Sequence, residues 1–143
     1  MNHDLEVSQS INVNATPEKV WDALTNPAII KEYLFGTNTQ TDWNVGSSIT
    51  FSGEYNGQTY TDKGVILENV PQKKLSYSYW SGFSGTEDKP ENYSKVTYTV
   101  LPLDNGQTQF TWSQKGYANE TGYEHSKNGM TDFLEQIKGI MER

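Results

Sequence analysis

The side chains able to move protons or attack a carbonyl are few and scattered along this sequence. The histidines are His3, beside the amino terminus, and His125, with Glu124 before it and Asp132 seven residues on. A histidine–carboxylate acid–base pair is the chemistry such a group suggests. Sequence neighbours do not face one another on a helix, so His125 reads as a surface residue without a catalytic role. Glu54 and Asp62 fall in adjacent strand-like segments that could pair two carboxylates, yet strand charges of this kind read as solvated. No serine sits in a Gly-x-Ser-x-Gly elbow, and Gly82-Phe83-Ser84-Gly85 is too loose to be one. No glycine-rich phosphate loop ends in Lys-Ser/Thr. With no cysteine, the chain has no disulfide and no thiolate, and two histidines offer no metal-ligand spacing. The expectation is no catalytic constellation, no metal and no cofactor.

Aromatic residues are the richer set. Phe51, Tyr55, Tyr60, Tyr77, Tyr79, Tyr98, Phe110 and Trp112 recur at alternating positions of strand-like segments. If those rows face a helix, they line a pocket whose hydroxyls orient the polar end of a ligand. From the helix side Met130, Phe133, Leu134 and Ile137 present an apolar stripe, with Met130 the most adaptable contact. The ordinary alternative is that these side chains only fill a core. Period two tells which residues share a face, not which face is concave. These are the candidate ligand-binding residues.

The elements that must position them are legible. Leu5 to Asn14 alternates as a strand, with Leu5, Val7, Ile11 and Val13 on one face and Gln9 as a polar intruder among them. Thr16-Pro17 then caps and opens a helix carrying Val20, Trp21 and Leu24. Asn26-Pro27 repeats that signal for a second short helix carrying Ile29, Ile30, Tyr33 and Leu34. A DNA-binding helix-turn-helix would need basic residues there, and Lys31 stands alone. Strand signals follow at 37–43, 48–55, 59–70, 73–80, 94–103 and 107–114. Tight turns at Asn56-Gly57, Val70-Pro71-Gln72 and Asn105-Gly106 make them an antiparallel meander. The polar segment 81–92 reads as a mobile rim loop. From about Thr121 to Glu142, Met130, Phe133, Leu134, Ile137, Ile140 and Met141 recur every three or four residues, the mark of an amphipathic helix. Gly129 weakens that helix unless close packing or a kink requires it.

At 143 residues the chain suits one domain over 1–143. Hydrophobic residues make up only 34%, so the aromatic 13% must supply much of the core. The net charge of -7, without any Lys/Arg cluster, argues against nucleic acid and anionic membrane surfaces. No apolar run approaches the ~18 residues of a membrane span, and the amino terminus shows no secretory signal. A cytoplasmic protein, monomer or dimer, is expected.

Four segments together resemble the AHSA-like family of the SRPBCC, or START-like, superfamily. Residues 14–27, Asn14-Ala15-Thr16-Pro17-Glu18-Lys19-Val20-Trp21 onward, look like its strand-to-helix opening. Gly46 after Trp43 looks like its glycine before the next strand. Residues 64–77, with Val70-Pro71-Gln72 at their centre, resemble its long strand, proline turn and return strand. Gly129-Met130 with Leu134 and Ile137 resembles its Gly-Trp helix start. Met130 and Tyr33 stand where that family often has Trp, at positions that tend to touch the cavity. The resemblance implies an α+β helix-grip fold like that of the birch-pollen allergen. In it, a curved antiparallel sheet of six to seven strands wraps a long C-terminal helix, and two short helices follow the first strand. It implies binding of a small hydrophobic or amphipathic ligand, such as a lipid, polyketide or aromatic metabolite. The alternatives are a cyclase-, dehydratase- or hydrolase-type enzyme using pocket Tyr and His groups, and a chaperone-regulating or stress-related interaction protein.

Overall fold

A computed structural model describes residues 1–143. The chain runs β1 (Asn2–Val13), α1 (Pro17–Thr25), α2 (Pro27–Tyr33), β2 (Asn38–Gln40), β3 (Ser48–Tyr55), β4 (Gln58–Val70), β5 (Lys74–Tyr79), β6 (Ser94–Pro102), β7 (Thr108–Tyr117) and α3 (Glu120–Glu142). The strands form one seven-stranded sheet in the order β1-β7-β6-β5-β4-β3-β2, with every pairing antiparallel. Only the β1–β7 contact joins strands distant in sequence; the rest is the expected meander. The α+β helix-grip arrangement is the one observed.

Local signals explain the helices. Thr16 accepts a hydrogen bond from the Lys19 N–H at 3.2 Å, and Pro17 opens α1. Asn26 ends α1 and caps α2, accepting from Ala28 N–H at 3.0 Å. The buried Tyr33 hydroxyl then donates to the Ala23 carbonyl at 2.9 Å, locking α2 onto α1.

Helix α3 lies on β1, with lesser contact to β7, α1 and α2. Its buried face is Met130, Leu134, Ile137 and Met141. Gln9 is the strand's polar intruder because its amide donates to Thr131 Oγ1 on that helix, at 2.9 Å. At the far end Glu142 accepts from Asn14 N–H at 2.7 Å, Lys138 donates to the Asn12 carbonyl at 3.2 Å, and Arg143 pairs with Glu32. The helix is therefore held along its length and at its tip.

Several local expectations need correction. The segment 37–43 gives only three strand residues, because Trp43 takes a left-handed backbone (φ 68°) and breaks the extended run. Strand β7 continues three residues past 114 to Tyr117, and β1 begins at Asn2. His3 is thus part of the sheet, its Nε2 2.7 Å from the Glu91 carbonyl. The segment 81–92 is folded into two single-turn helices, Gly82–Ser84 and Pro90–Asn92. Bonds from Trp80 Nε1 to Thr86, from Tyr93 to Asp88 and from Lys63 to Asp88 pin it to the sheet. Asn105-Gly106 is a longer turn in which Leu103 N–H reaches the Gln107 carbonyl, not a two-residue hairpin.

Leu134 is 1% exposed at the centre of the α3 contact. Leu134→Ala is expected to cost about 2–5 kcal/mol in urea unfolding. Gly129 is exposed, and a Cβ added there meets nothing within 4 Å, so neither packing nor a kink requires it. Gly129→Ala should raise stability by about 1 kcal/mol in the same assay.

Candidate functional site

Because α3 packs at the β1 side, the concave face of β3–β6 is left partly uncovered, and a cavity of about 540 Å³ opens there. Period two decides its walls. Phe51 and Tyr55 come from β3, Tyr60 and Asp62 from β4, Tyr77 and Tyr79 from β5, Val96 and Tyr98 from β6, and Trp112 and Gln114 from β7. The lid side carries Phe133 of α3, Leu34, Phe35 and Thr37 after α2, and Phe83 of the 81–92 segment.

Of the residues anticipated from sequence, Phe51, Tyr55, Tyr60, Tyr77, Tyr79, Tyr98, Trp112 and Phe133 line this cavity. Phe110, Met130, Leu134 and Ile137 do not. All four are buried in the hydrophobic core. Met130 therefore gives the cavity no shape of its own. Tyr33, the other position of departure from the family pattern, also lies outside, turned toward Ala23 with its ring edge on Phe133.

The rings form a connected surface. Phe51 packs on Tyr77 and Tyr79 with centroids 5.6 and 5.9 Å apart, Tyr77 on Tyr98 at 5.8 Å, and Trp112 on Phe133 at 6.1 Å. Such edge-on and tilted pairs add to simple area burial. The Tyr77 and Tyr98 hydroxyls satisfy each other at 2.8 Å. Tyr60 reaches Thr37 Oγ1 at 2.6 Å and stacks near Phe83. Gly53, opposite Tyr60 in the register, makes room for that ring: a Cβ there would lie 2.6 Å from the Tyr60 hydroxyl. At the mouth Phe35, Tyr55 and Phe83 are mostly exposed.

Asp62 is the residue that sequence reading misplaced. It is not a solvated strand charge but 8% exposed in the cavity wall, opposite Phe51. Its Oδ2 accepts from the Tyr79 hydroxyl at 2.6 Å, while Oδ1 is buried with no partner. Glu54 stands nearby in the lining, exposed. The signal was present: Asp62 alternates with Tyr60 and Ile66, so the face that buries Ile66 must carry the carboxylate too. Phe35 and Phe83 had no comparable signal, because they belong to loops that only folding brings to the mouth. His125 is exposed on α3 and is not among the residues that line the cavity.

Burial pushes the hydroxyls of Tyr33, Tyr77 and Tyr79 well above the ordinary tyrosine range, with the Asp62 carboxyl adding to the effect at Tyr79. No cluster of His, Cys, Asp and Glu able to hold a metal ion is present.

A family model described as "Activator of Hsp90 ATPase homolog 1-like protein" matches residues 14–142. The chain belongs to that family. Among solved structures, a Cytophaga hutchinsonii protein determined in solution is 40% identical over 96% of this chain and 94% of its own, with a TM-score of 0.82. The activator-like fold extends to more distant structures. The Aha1 dimer from Colwellia psychrerythraea has 18% identity and a TM-score of 0.72, covering 96% of each chain. An HSP90 activator from Plasmodium falciparum has 19% identity and a TM-score of 0.73, again covering 96% of each. At those identities the likeness is one of fold. No curated protein matches the chain. No helix is long and apolar enough to cross a membrane.

Two outcomes follow from the site's polar groups. Tyr79→Phe takes the only protein donor from a buried carboxyl and should cost about 1–3 kcal/mol in urea unfolding. Tyrosines held neutral in the fold release protons near pH 10 once unfolded, so above that pH the native state binds more protons and stability falls. Unfolding midpoints are expected to stay level with respect to these tyrosines below about pH 10. Above it they should drop, with part of the tyrosinate absorbance appearing only on unfolding.

Proposed function

We propose that this chain binds a small hydrophobic or amphipathic molecule, of the size of a lipid fragment, polyketide or aromatic metabolite, between its sheet and terminal helix. The observation that carries this reading is the cavity itself. Its roughly 540 Å³ falls within the range of ligand pockets, and its wall combines a continuous aromatic surface with a few polar groups. The exposed Phe35, Tyr55 and Phe83 supply an apolar mouth through which such a molecule can pass.

A chaperone-regulating role is the second reading, favoured by the family description and by the HSP90 activator among the structural neighbours. The exposed Phe35, Val45 and Phe83 would serve it as contact residues. The enzyme alternative loses its histidine, because His125 faces solvent.

Titration with the neutral fluorophore N-phenyl-1-naphthylamine tests the first reading. Saturable one-to-one binding is expected, weakened at least about tenfold by Val96→Phe, which places a ring in the cavity. Native mass spectrometry of the purified chain should find a bound or titratable small molecule. No saturable binding, or binding indifferent to Val96→Phe, would sink the proposal. For the second reading, a purified Hsp90-type chaperone should show measurable affinity for the chain, reduced by Phe83→Asp.

A further inference from the structure

The cavity wall contains a carboxyl group in an aromatic setting, with one of its two oxygens unpartnered. Moving such a group out of water is costly unless donors replace the lost hydration. The fold supplies one donor to Asp62, the Tyr79 hydroxyl at 2.6 Å, and none to Oδ1. No lysine, arginine or histidine occurs among the lining residues, whose other ionisable members are tyrosines and Glu54. The nearest basic side chain in sequence, Lys63, projects from the opposite face of β4 and pairs with Asp88. Nothing in the chain is placed to neutralise the cavity side of Asp62.

The neighbouring rings point the same way. Phe51 lies directly across from Asp62 in the β3–β4 register, Tyr79 bonds it, and Tyr60 is two residues before it on the same face. Aromatic faces attract cations, the more so when water is excluded. A carboxylate framed by such rings recognises a protonated amine by a charge-assisted bond at its centre and ring contacts around it.

We propose that the ligand of this cavity carries a protonated amine on an apolar body, the ammonium group pairing with the Asp62 carboxylate while the body lies against Phe51, Tyr77 and Phe133. The inference rests on the ligand-binding reading above and names the chemical class that the cavity selects. A neutral molecule of the same shape would leave the carboxylate without a counter-charge, and an acid would meet Asp62 with like charge. The two losses order the classes: amine, then alcohol, then carboxylate.

Three probes sharing one body test this at pH 7: 4-phenylbutylamine, 4-phenylbutan-1-ol and 4-phenylbutanoate, each competing against N-phenyl-1-naphthylamine on the full chain. The amine is expected to bind at least about tenfold more tightly than the alcohol, with the carboxylate weakest. In Asp62→Asn, which can still accept from Tyr79, amine and alcohol should agree within about twofold. In parallel, backbone NMR of the unmodified chain should show the amine shifting Asp62 and Tyr79 more than the alcohol does, a readout that needs no variant. Equal affinities for amine and alcohol with normal fluorophore binding would overturn this inference alone. A preference that persists in Asp62→Asn would also overturn it. Failure of every probe, the fluorophore included, would overturn the ligand-binding reading and this one with it.

Discussion

Everything distinctive here depends on where α3 rests. The helix buries Met130, Leu134, Ile137 and Met141 against the β1 side of the sheet and is anchored at its tip through Glu142, Lys138 and Arg143. A sheet of seven twisted strands curves away from a straight helix. Tight contact on one side therefore opens a gap on the other. The cavity is the geometric remainder of that packing, and the turn after α2 bounds it through Leu34, Phe35 and Thr37.

What fills the wall of that gap follows from a scarcity of aliphatic residues. With hydrophobic residues at 34% of the chain, large rings do much of the work of burial. Half are tyrosines, and the hydroxyls of those that are buried must find partners inside the fold. They do so pairwise: Tyr77 with Tyr98, Tyr60 with Thr37, Tyr33 with the Ala23 carbonyl, and Tyr79 with Asp62. A core assembled this way is rigid and polar in spots. Of these pairs the one left incomplete is at Asp62, where the carboxyl has a second oxygen and the fold offers no second donor.

Membership of the activator-homologue family and the shared helix grip specify a scaffold and not an activity. The cavity wall of this chain comes largely from β3–β5, and the bonds of the 81–92 segment to Trp80, Lys63 and Tyr93 bring Phe83 over Tyr60. Met130, the departure most visible in sequence, is packed away from the cavity.

Much of the architecture was legible before folding, because capping and periodicity are local. Thr16-Pro17 and Asn26-Pro27 announce α1 and α2, alternation marks the strands, and the spacing of Met130, Leu134, Ile137 and Met141 marks α3. Alternation also grouped the inward aromatics correctly, and it placed Asp62 on the same face as Tyr60. Reading strand charges as solvated hid that consequence. Whether an inward residue meets a helix or a void is not local, and so Phe110 and Leu134 could not be told from Tyr98 and Phe133 by pattern alone. Loop residues such as Phe35 and Phe83 carry no periodicity at all. Sequence by itself determined the elements, their order and which side chains share a face, since these follow from backbone geometry over a few residues. Only the tertiary structure decided which part of that face stays open and that a carboxyl group looks into it, because both depend on how a straight helix and a curved sheet fail to coincide.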